Sequence, residues 1–414
     1  MELTCKKSYD IIVCGGGVAG VAAALTARKN GKSVLLLEKS IILGGLGTLG
    51  LVNFFDAMCD GVGHQVVFGM ADEWVRDSSR YGWDSMKPEW KARENGIPSE
   101  PVKARLCNRY SPYIFALQLT EKCVNAGVDL LYDCMATLPV MDGKKCKGVI
   151  TESKSGREYY EAKMVIDTTG DADLLRRSGM PTVLGQNTYI YEADTVTLDG
   201  MEKALEEKDV SKAFGHVNGG SASFHGKNQP EGVPLWSGTT VEDVTEYMLM
   251  NQMEMLGKLK QDERNSREVM RIPFMPQFRT TCRMDGDYTL TEEDCFRHHD
   301  DSICACNDFS RRGPLYEVPF GCIVRRDFPN LLTAGRSASG EGQGWHVLRV
   351  IPVAILTGQA AGNAASLAID GRCGAAEVDI RKLQNLQERD GVMLHFPDEW
   401  IVPGATSEGL PKKQ

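Results

Sequence analysis

The stretch Tyr9-Asp10-Ile11-Ile12-Val13-Cys14-Gly15-Gly16-Gly17-Val18-Ala19-Gly20 decides how this chain folds. An apolar run suited to one buried strand ends in three glycines, and the alanine-rich residues Val21 to Arg28 read as the helix that follows. In such a strand–turn–helix unit the N–H groups of the first helical turn have no partner within the helix and can face a pyrophosphate. Gly15 permits the tight turn, Gly17 lets a phosphate approach the backbone, and Gly20 lets the helix pack closely on the strand. Asn30-Gly31 stops the helix, and Ser33-Val34-Leu35-Leu36-Leu37-Glu38 reads as a second buried parallel strand ending in an acid. That acid falls ~20 residues beyond the glycines, where a carboxylate can take a ribose hydroxyl. The segment predicts an adenine-dinucleotide site built from Gly15, Gly17, Val18, Ala19, Gly20 and Glu38.

Two further segments extend this site. The run from Lys39 to Leu51 is too rich in glycine for a helix and too apolar for a solvated loop, so it is expected to lie against the ligand, with Lys39, Gly45 and Leu46 in contact. Far downstream, Asn330-Leu331-Leu332-Thr333-Ala334-Gly335-Arg336 reads as a strand ending in a turn. Arg349-Val350-Ile351-Pro352 then leads into a helix of small residues from Val353 to Gly362. The small-residue backbone of these two segments suits a long cofactor with an isoalloxazine end, with Gly335, Arg336, Arg349 and Gly358 in contact; Arg349 also reads as an ion pair or ring contact that positions the Pro352 turn.

These segments carry a resemblance. Asp10 to Val52, Val165-Ile166-Asp167-Thr168-Thr169-Gly170-Asp171-Ala172-Asp173, Tyr316 to Ala365 and the stretch Arg279 to Thr291 are similar to the FAD-dependent oxidoreductases distantly related to the fumarate reductase and succinate dehydrogenase flavoproteins, with their glutathione-reductase-type FAD fold. The resemblance implies an α/β, Rossmann-like FAD-binding fold with a parallel sheet, a β-meander and an inserted α+β substrate or cap domain. It implies extended FAD, with the adenosine on the first glycine loop, Gly170 and Asp171 in contact, and the flavin ring near the carboxy-terminal glycine segment. No histidine adjoins the first glycine segment, and the nearest, His64, lies past the glycine loop, so the flavin is expected to be held without a covalent bond.

The domain boundaries follow from shifts in composition. Residues 1–56, 102–185 and 315–375 are expected to form a discontinuous FAD-binding domain. Within it, a helix is read at Ser111 to Val124, a returning strand at Val128 to Tyr132, and a hairpin around Ser155-Gly156. Residues 57–101, with Trp74, Trp83 and Trp90, and residues 186–314 are assigned to the substrate or cap domain. There a helix capped by Thr240 runs to about Gln261, and its methionines Met248, Met250, Met253 and Met255 read as gap-filling core. Residues 376–414 are read as a docking tail with a helix at Asp379 to Gln387.

Charge narrows the partners. With 47 basic and 56 acidic residues the net charge is −9, which argues against nucleic acid or an anionic membrane as the main partner. No apolar run approaches a membrane span, Met1 to Ser8 lacks the apolar core of a signal peptide, and thirteen scattered cysteines form no disulfide framework. A cytoplasmic protein acting on a small-molecule substrate is expected.

For chemistry, a flavin needs from the protein mainly orientation, electrostatics and a proton path. Arg279 and Arg283, four apart, suit a carboxylate or carbonyl clamp, and an interdomain salt bridge is the competing reading. Where many relatives carry consecutive arginines, this chain has Cys282-Arg283. His346 is a candidate to exchange a proton near neutral pH, against a purely structural histidine. Relatives often place a His-Glu pair slightly earlier, where Gly342-Gln343 stand here. Cys295, His298, His299, Asp300, Asp301, Cys304 and Cys306 crowd together, yet their spacing matches no paired zinc motif, and no metal is expected. No second glycine-rich dinucleotide unit is present, so the electron donor or acceptor is expected to be a carrier protein, a quinone or a free reductant. Hydride transfer between a small organic substrate and flavin N5 is the leading function. Group transfer or nucleic-acid modification on FAD, or FAD as a structural cofactor in a binding protein, are the alternatives.

Overall fold

The computed structural model describes residues 4–86, 105 and 107–411. The strand Cys5–Cys14 lies at the centre of a seven-stranded sheet. On one side it pairs in parallel with Val34–Leu37, which in turn pairs with Asp129–Leu131. On the other it pairs in parallel with Gly156–Asp167, and Leu331–Thr333 completes the parallel set against the end of that strand. Ile11, Ile12 and Val13 are fully buried, Ile11 and Val13 on the face covered by helices and Ile12 on the face covered largely by the meander and the strand Cys282–Met284, each contributing roughly 1.5–3 kcal/mol of transfer free energy.

The meander is less separate than the sequence suggests. Gly156–Asp167 is one continuous strand: its first part pairs antiparallel with Lys145–Ser153, while its end joins the parallel core. Cys134–Asp142, not singled out in the sequence, is the third meander strand. The helix expected at Ser111 to Val124 spans Pro112–Ala126 and ends at Gly127 in the left-handed region.

The helix Ile351–Gly371 is buried along nearly its whole length and crosses Val18–Lys29. The crossing explains its small residues. A Cβ on Gly358 would lie 2.2 Å from the Ala19 carbonyl oxygen, and one on Gly362 would lie 2.5 Å from that of Ala23. Two glycines four apart therefore receive two backbone carbonyls four apart. Gly358, expected to face the cofactor, is accounted for by this helix contact.

The inserted region has its own core. Phe214–Ser221, Ile190–Thr197 and Arg267–Arg271 form a three-stranded antiparallel sheet, covered by Val241–Leu259. Thr240 caps that helix, its hydroxyl accepting the Asp243 N–H at 3.1 Å. Tyr189, Tyr191, Trp236, Tyr247 and Phe278 pack together there. Of the four methionines Met255 is buried, Met248 and Met250 are partly covered, and Met253 stands exposed, so the core reading holds for three of them.

The expected boundaries need revision at two places. Met58, Cys59, Val67, Ala71, Trp74 and Val75 join the main core rather than the inserted one, as do Ile303, Cys304 and Cys306. Apolar surface there matches the sheet-covering helices, which composition alone does not reveal. Trp90 and the rest of 87–101 lie outside the described residues. In the tail, Asp379 caps the helix Ile380–Arg389 through the Arg381 and Lys382 N–H groups, and Leu383, Val392 and Leu394 pack into the main core. Among the described residues no single helix is long and apolar enough to cross a membrane.

Candidate functional site

The nucleotide cradle is built where Cys14 meets the glycines. Gly17 is the N-cap of Val18–Lys29, with φ −64° and ψ 175°; no side chain caps this terminus and no acid stands in its first turn. A Cβ on Gly17 would meet nothing within 4 Å, whereas one on Gly20 would lie 1.9 Å from the Gly15 carbonyl oxygen and 2.6 Å from Thr168 Oγ1. The glycines thus divide into packing positions and one open position, set before uncapped N–H groups that favour an anion. Val18 and Ala19 supply the first turn and are nearly buried.

Glu38 closes the second strand with its carboxylate buried. Its Oε2 accepts the Gly16 N–H at 2.7 Å and its Oε1 accepts the Ser40 N–H at 2.7 Å. It therefore ties the glycine turn to the following loop, and each carboxylate oxygen retains a further lone pair. Lys39 is exposed beside it. The second glycine loop lies directly on the first: the Gly44 N–H donates to the Gly16 carbonyl at 2.8 Å, and a Cβ on Gly45 would lie 3.2 Å from the Gly17 Cα. Leu46 is half-buried next to it.

Gly335 and the 170–171 turn close the cradle through one arginine. Arg336 Nε donates to the Gly170 carbonyl at 2.7 Å, and the guanidinium pairs with Asp171 at 2.6 Å and reaches the Phe278 carbonyl. Arg336 and Asp171 are thus engaged with each other, a fastening between the two turns and the inserted region that their sequence separation hides. The Gly335 N–H donates to Thr357 Oγ1 at 3.0 Å, which places the turn against Ile351–Gly371.

The open Gly17 face, the uncapped helix terminus and the Glu38 carboxylate fit the pyrophosphate and ribose of FAD. Gly45 and Leu46 flank the same face. His64 is occupied elsewhere, its Nδ1 at 2.7 Å from Asp60 and its ring stacked on Trp400.

A second group of residues gathers around Arg349, at the break between Gly342–Leu348 and Ile351–Gly371. Arg349 Nε donates to His346 Nδ1 at 3.1 Å, and its guanidinium lies 5.0 Å from the Phe224 ring centre and 5.6 Å from that of Phe309. Among the described residues no carboxylate pairs with it at ion-pair distance. Burial, then the charge of Arg279, pulls its pKa down to about 9. Arg279 likewise has no ion-pair partner among the described residues; its side chain donates to the Gln277 carbonyl, and its backbone N–H donates to Asn187 Oδ1. Asp56 faces both arginines. Burial pushes its carboxyl up to about 6, an effect that Arg349, Arg279 and Arg105 partly offset.

His346 departs from the expectation of a neutral-pH titration. Burial first, then Arg349, His225 and Arg311, pushes its pKa down to about 3. Because its Nδ1 accepts from Arg349, the neutral ring carries its hydrogen on Nε2. The rings of Phe224 and of the exposed His225 each lie 5.0 Å from the His346 ring. Arg283 does not share the surroundings of Arg279. It is buried in the strand Cys282–Met284, donates to the Met284 carbonyl and Ser339, and lies 3.6 Å from Glu341 and against Trp345. The expected clamp of two arginines resolves into two environments. Asp56, Phe224 and His225 were not singled out in the sequence. Asp56 could have been found as the first acid after the glycine loop, but nothing local marks Phe224 or His225.

Comparison with known proteins supports FAD as the cofactor. The family model described as FAD dependent oxidoreductase matches residues 10–236 and 237–387. The chain is 27% identical over 185 residues to a digeranylgeranylglycerophospholipid reductase of Methanoculleus marisnigri, covering 43% of each chain. It is 58% identical over 45 residues to a vinyl phenol reductase of Lactiplantibacillus plantarum, covering 11% of this chain and 9% of the relative. The chain spans less than half the length of these curated relatives. Among solved structures, a geranylgeranyl bacteriochlorophyll reductase-like protein of Thermoplasma acidophilum aligns over 95% of both chains at 14% identity and a TM-score of 0.41. The chain belongs to the FAD dependent oxidoreductase family, an enzyme family with FAD as its cofactor.

Proposed function

We propose that this enzyme transfers a hydride between non-covalently held FAD and a small organic substrate bearing a carboxylate or an equally polar oxygen, with reduction of the substrate as the favoured direction. The observation that carries this reading is Arg349, a largely buried guanidinium with no carboxylate partner among the described residues. Arg349 and Arg279 share a single nearby carboxyl, that of Asp56, so a buried positive charge is left over; that is costly, and an anionic substrate would neutralise it. Arg279, similarly unpaired, adds a second donor set, while Phe224 and Phe309 offer apolar walls under the guanidinium. The relatives named as reductases support the direction.

Bound FAD supplies the hydride chemistry. The chain's own contribution is to hold the substrate oxygen and to manage a proton. His346, neutral, donates through Nε2–H without carrying charge. Asp56, held near 6, is the group able to take up or release a proton at neutral pH.

Arg349→Lys tests the reading, because lysine keeps the charge but loses the planar fork. Reduction or reoxidation of the flavin by substrate is expected to slow ~10-fold or more, the loss of one charge-assisted hydrogen bond, while FAD content and melting temperature hold. Normal turnover with lowered thermal stability would make Arg349 a structural residue. The same comparison on Arg279→Lys decides its share.

A further inference from the structure

At the tail, the fold assembles a cluster that sequence spacing does not show. His395 approaches Glu317 from 78 residues further along the chain, and His298 stands 19 residues before Glu317. Glu317 is fully buried on the strand Leu315–Pro319. Its Oε1 lies 2.6 Å from His298 Nδ1, and its Oε2 lies 2.9 Å from His395 Nδ1. The Oε2 atom also accepts the His299 backbone N–H at 2.8 Å. All three side chains present a ligating atom within 4.8 Å of the others.

We propose that His298, Glu317 and His395 form a binding site for a divalent transition-metal cation of the zinc class, which fastens the tail to the main body. Three features point there. First, Glu317 is a fully buried carboxylate with no Lys or Arg partner among the described residues; its only ion-pair neighbours are the two imidazoles. A divalent cation supplies the missing positive charge.

Second, His298 Nε2 lies 2.9 Å from Asp398 Oδ1. A carboxylate on the far nitrogen is the outer partner that orients a metal-binding imidazole and raises its basicity. Here it leaves Nδ1 for the cation. Third, the two histidines are only partly covered, 43% and 42% exposed, so the fourth position of a tetrahedral ion opens to water. Tetrahedral ligation at about 2.0–2.1 Å places ligand atoms roughly 3.3 Å apart, so the present contacts need to open by about half an ångström once the bridging protons leave.

Another histidine–carboxylate cluster in the protein makes a contrast. His216 lies between Glu192 and Asp194, but Arg109 pairs with Glu192 and Arg271 with Asp194. Those acids already have fixed counter-ions, and no cation is assigned there.

The test uses the full-length holoenzyme, treated with chelator and titrated with zinc chloride by calorimetry and with cobalt(II) by visible absorption. One equivalent per chain is expected, with cobalt bands of a four-coordinate site. His395→Gln is expected to lower the affinity at least 100-fold, and Asp398→Asn about 10–100-fold, the range for losing an outer partner. His216→Gln is expected to change neither. FAD content, read from the flavin spectrum, reports folding in every variant. Absence of stoichiometric binding in the native protein, or equal affinity in the native protein and His395→Gln, would overturn the proposal and leave a proton-held latch in its place.

Discussion

Replacing Gly17 by alanine separates holding the cofactor from holding the fold. Gly17 has φ −64°, which any residue adopts, and a Cβ there meets nothing within 4 Å. The apoprotein is therefore expected to keep its stability, or to gain ~0.4–1 kcal/mol from a less flexible unfolded chain. The methyl group enters the space the pyrophosphate needs, and losing one hydrogen bond to a charged group costs ~1.5–3 kcal/mol, about a 10- to 150-fold rise in Kd. Gly20→Ala is the counterpart. Its methyl would lie 1.9 Å from the Gly15 carbonyl oxygen, and overpacking costs ~1–3 kcal/mol or more of stability. Titration of apoprotein with FAD by fluorescence quenching, beside thermal melts without FAD, reads both quantities. Native FAD affinity in Gly17→Ala, or a lowered melting temperature in that variant, would refute the assignment of open space to the phosphate.

Glu38→Ala removes the acceptor of the Gly16 and Ser40 N–H groups. It is expected to weaken FAD binding about 10- to 150-fold, from ~1.5–3 kcal/mol, with an unchanged flavin spectrum once bound; unaltered affinity in a titration excludes the ribose role. For Asp56, burial holds the folded carboxyl at about 6, above its ordinary value of 3.8, so its contribution to stability is present below about pH 4 and is lost as pH rises through 6. Asp56→Asn should accordingly flatten the pH dependence of apoprotein melting between those limits and stabilise it at pH 7, by up to ~3 kcal/mol; parallel profiles for the two proteins would contradict this. His346, held near 3, should show the neutral Nε2–H form from pH 5 to 8 by nitrogen NMR of labelled histidine, and an inflection near 6.5 would restore the titrating role.

The legible part of the fold is the part governed by local rules. The strand to Cys14, the glycine turn and the helix to Lys29 follow from apolar runs and glycine chemistry, as do Val34–Leu37 and the Thr240 cap. Gly358 shows where that reading stops. Its smallness points to a ligand in the sequence, but it meets the Ala19 carbonyl at a helix crossing, more than three hundred residues away by a rough count. The sequence likewise reads Arg336 and Asp171 as cofactor contacts, whereas their mutual ion pair depends on the turns after two paired strands meeting. The residue type of His346 leaves open a neutral-pH titration or a structural role, and burial beside Arg349 removes the titration. The spacing of residues 295–306 predicts no metal, and the grouping of His298 with Glu317 and His395 is invisible there because His395 enters it only through the docking of the tail.

The most direct measurement is the absorption spectrum of the purified protein, taken before and after mild denaturation and then during anaerobic exposure to a panel of organic acids, carbonyl compounds and reductants. A yellow protein that releases FAD intact is expected, with a flavin that substrate bleaches or reoxidises in the native protein and far more slowly in Arg349→Lys. A protein that carries a nicotinamide dinucleotide and no flavin, or a flavin indifferent to every redox partner, would contradict it.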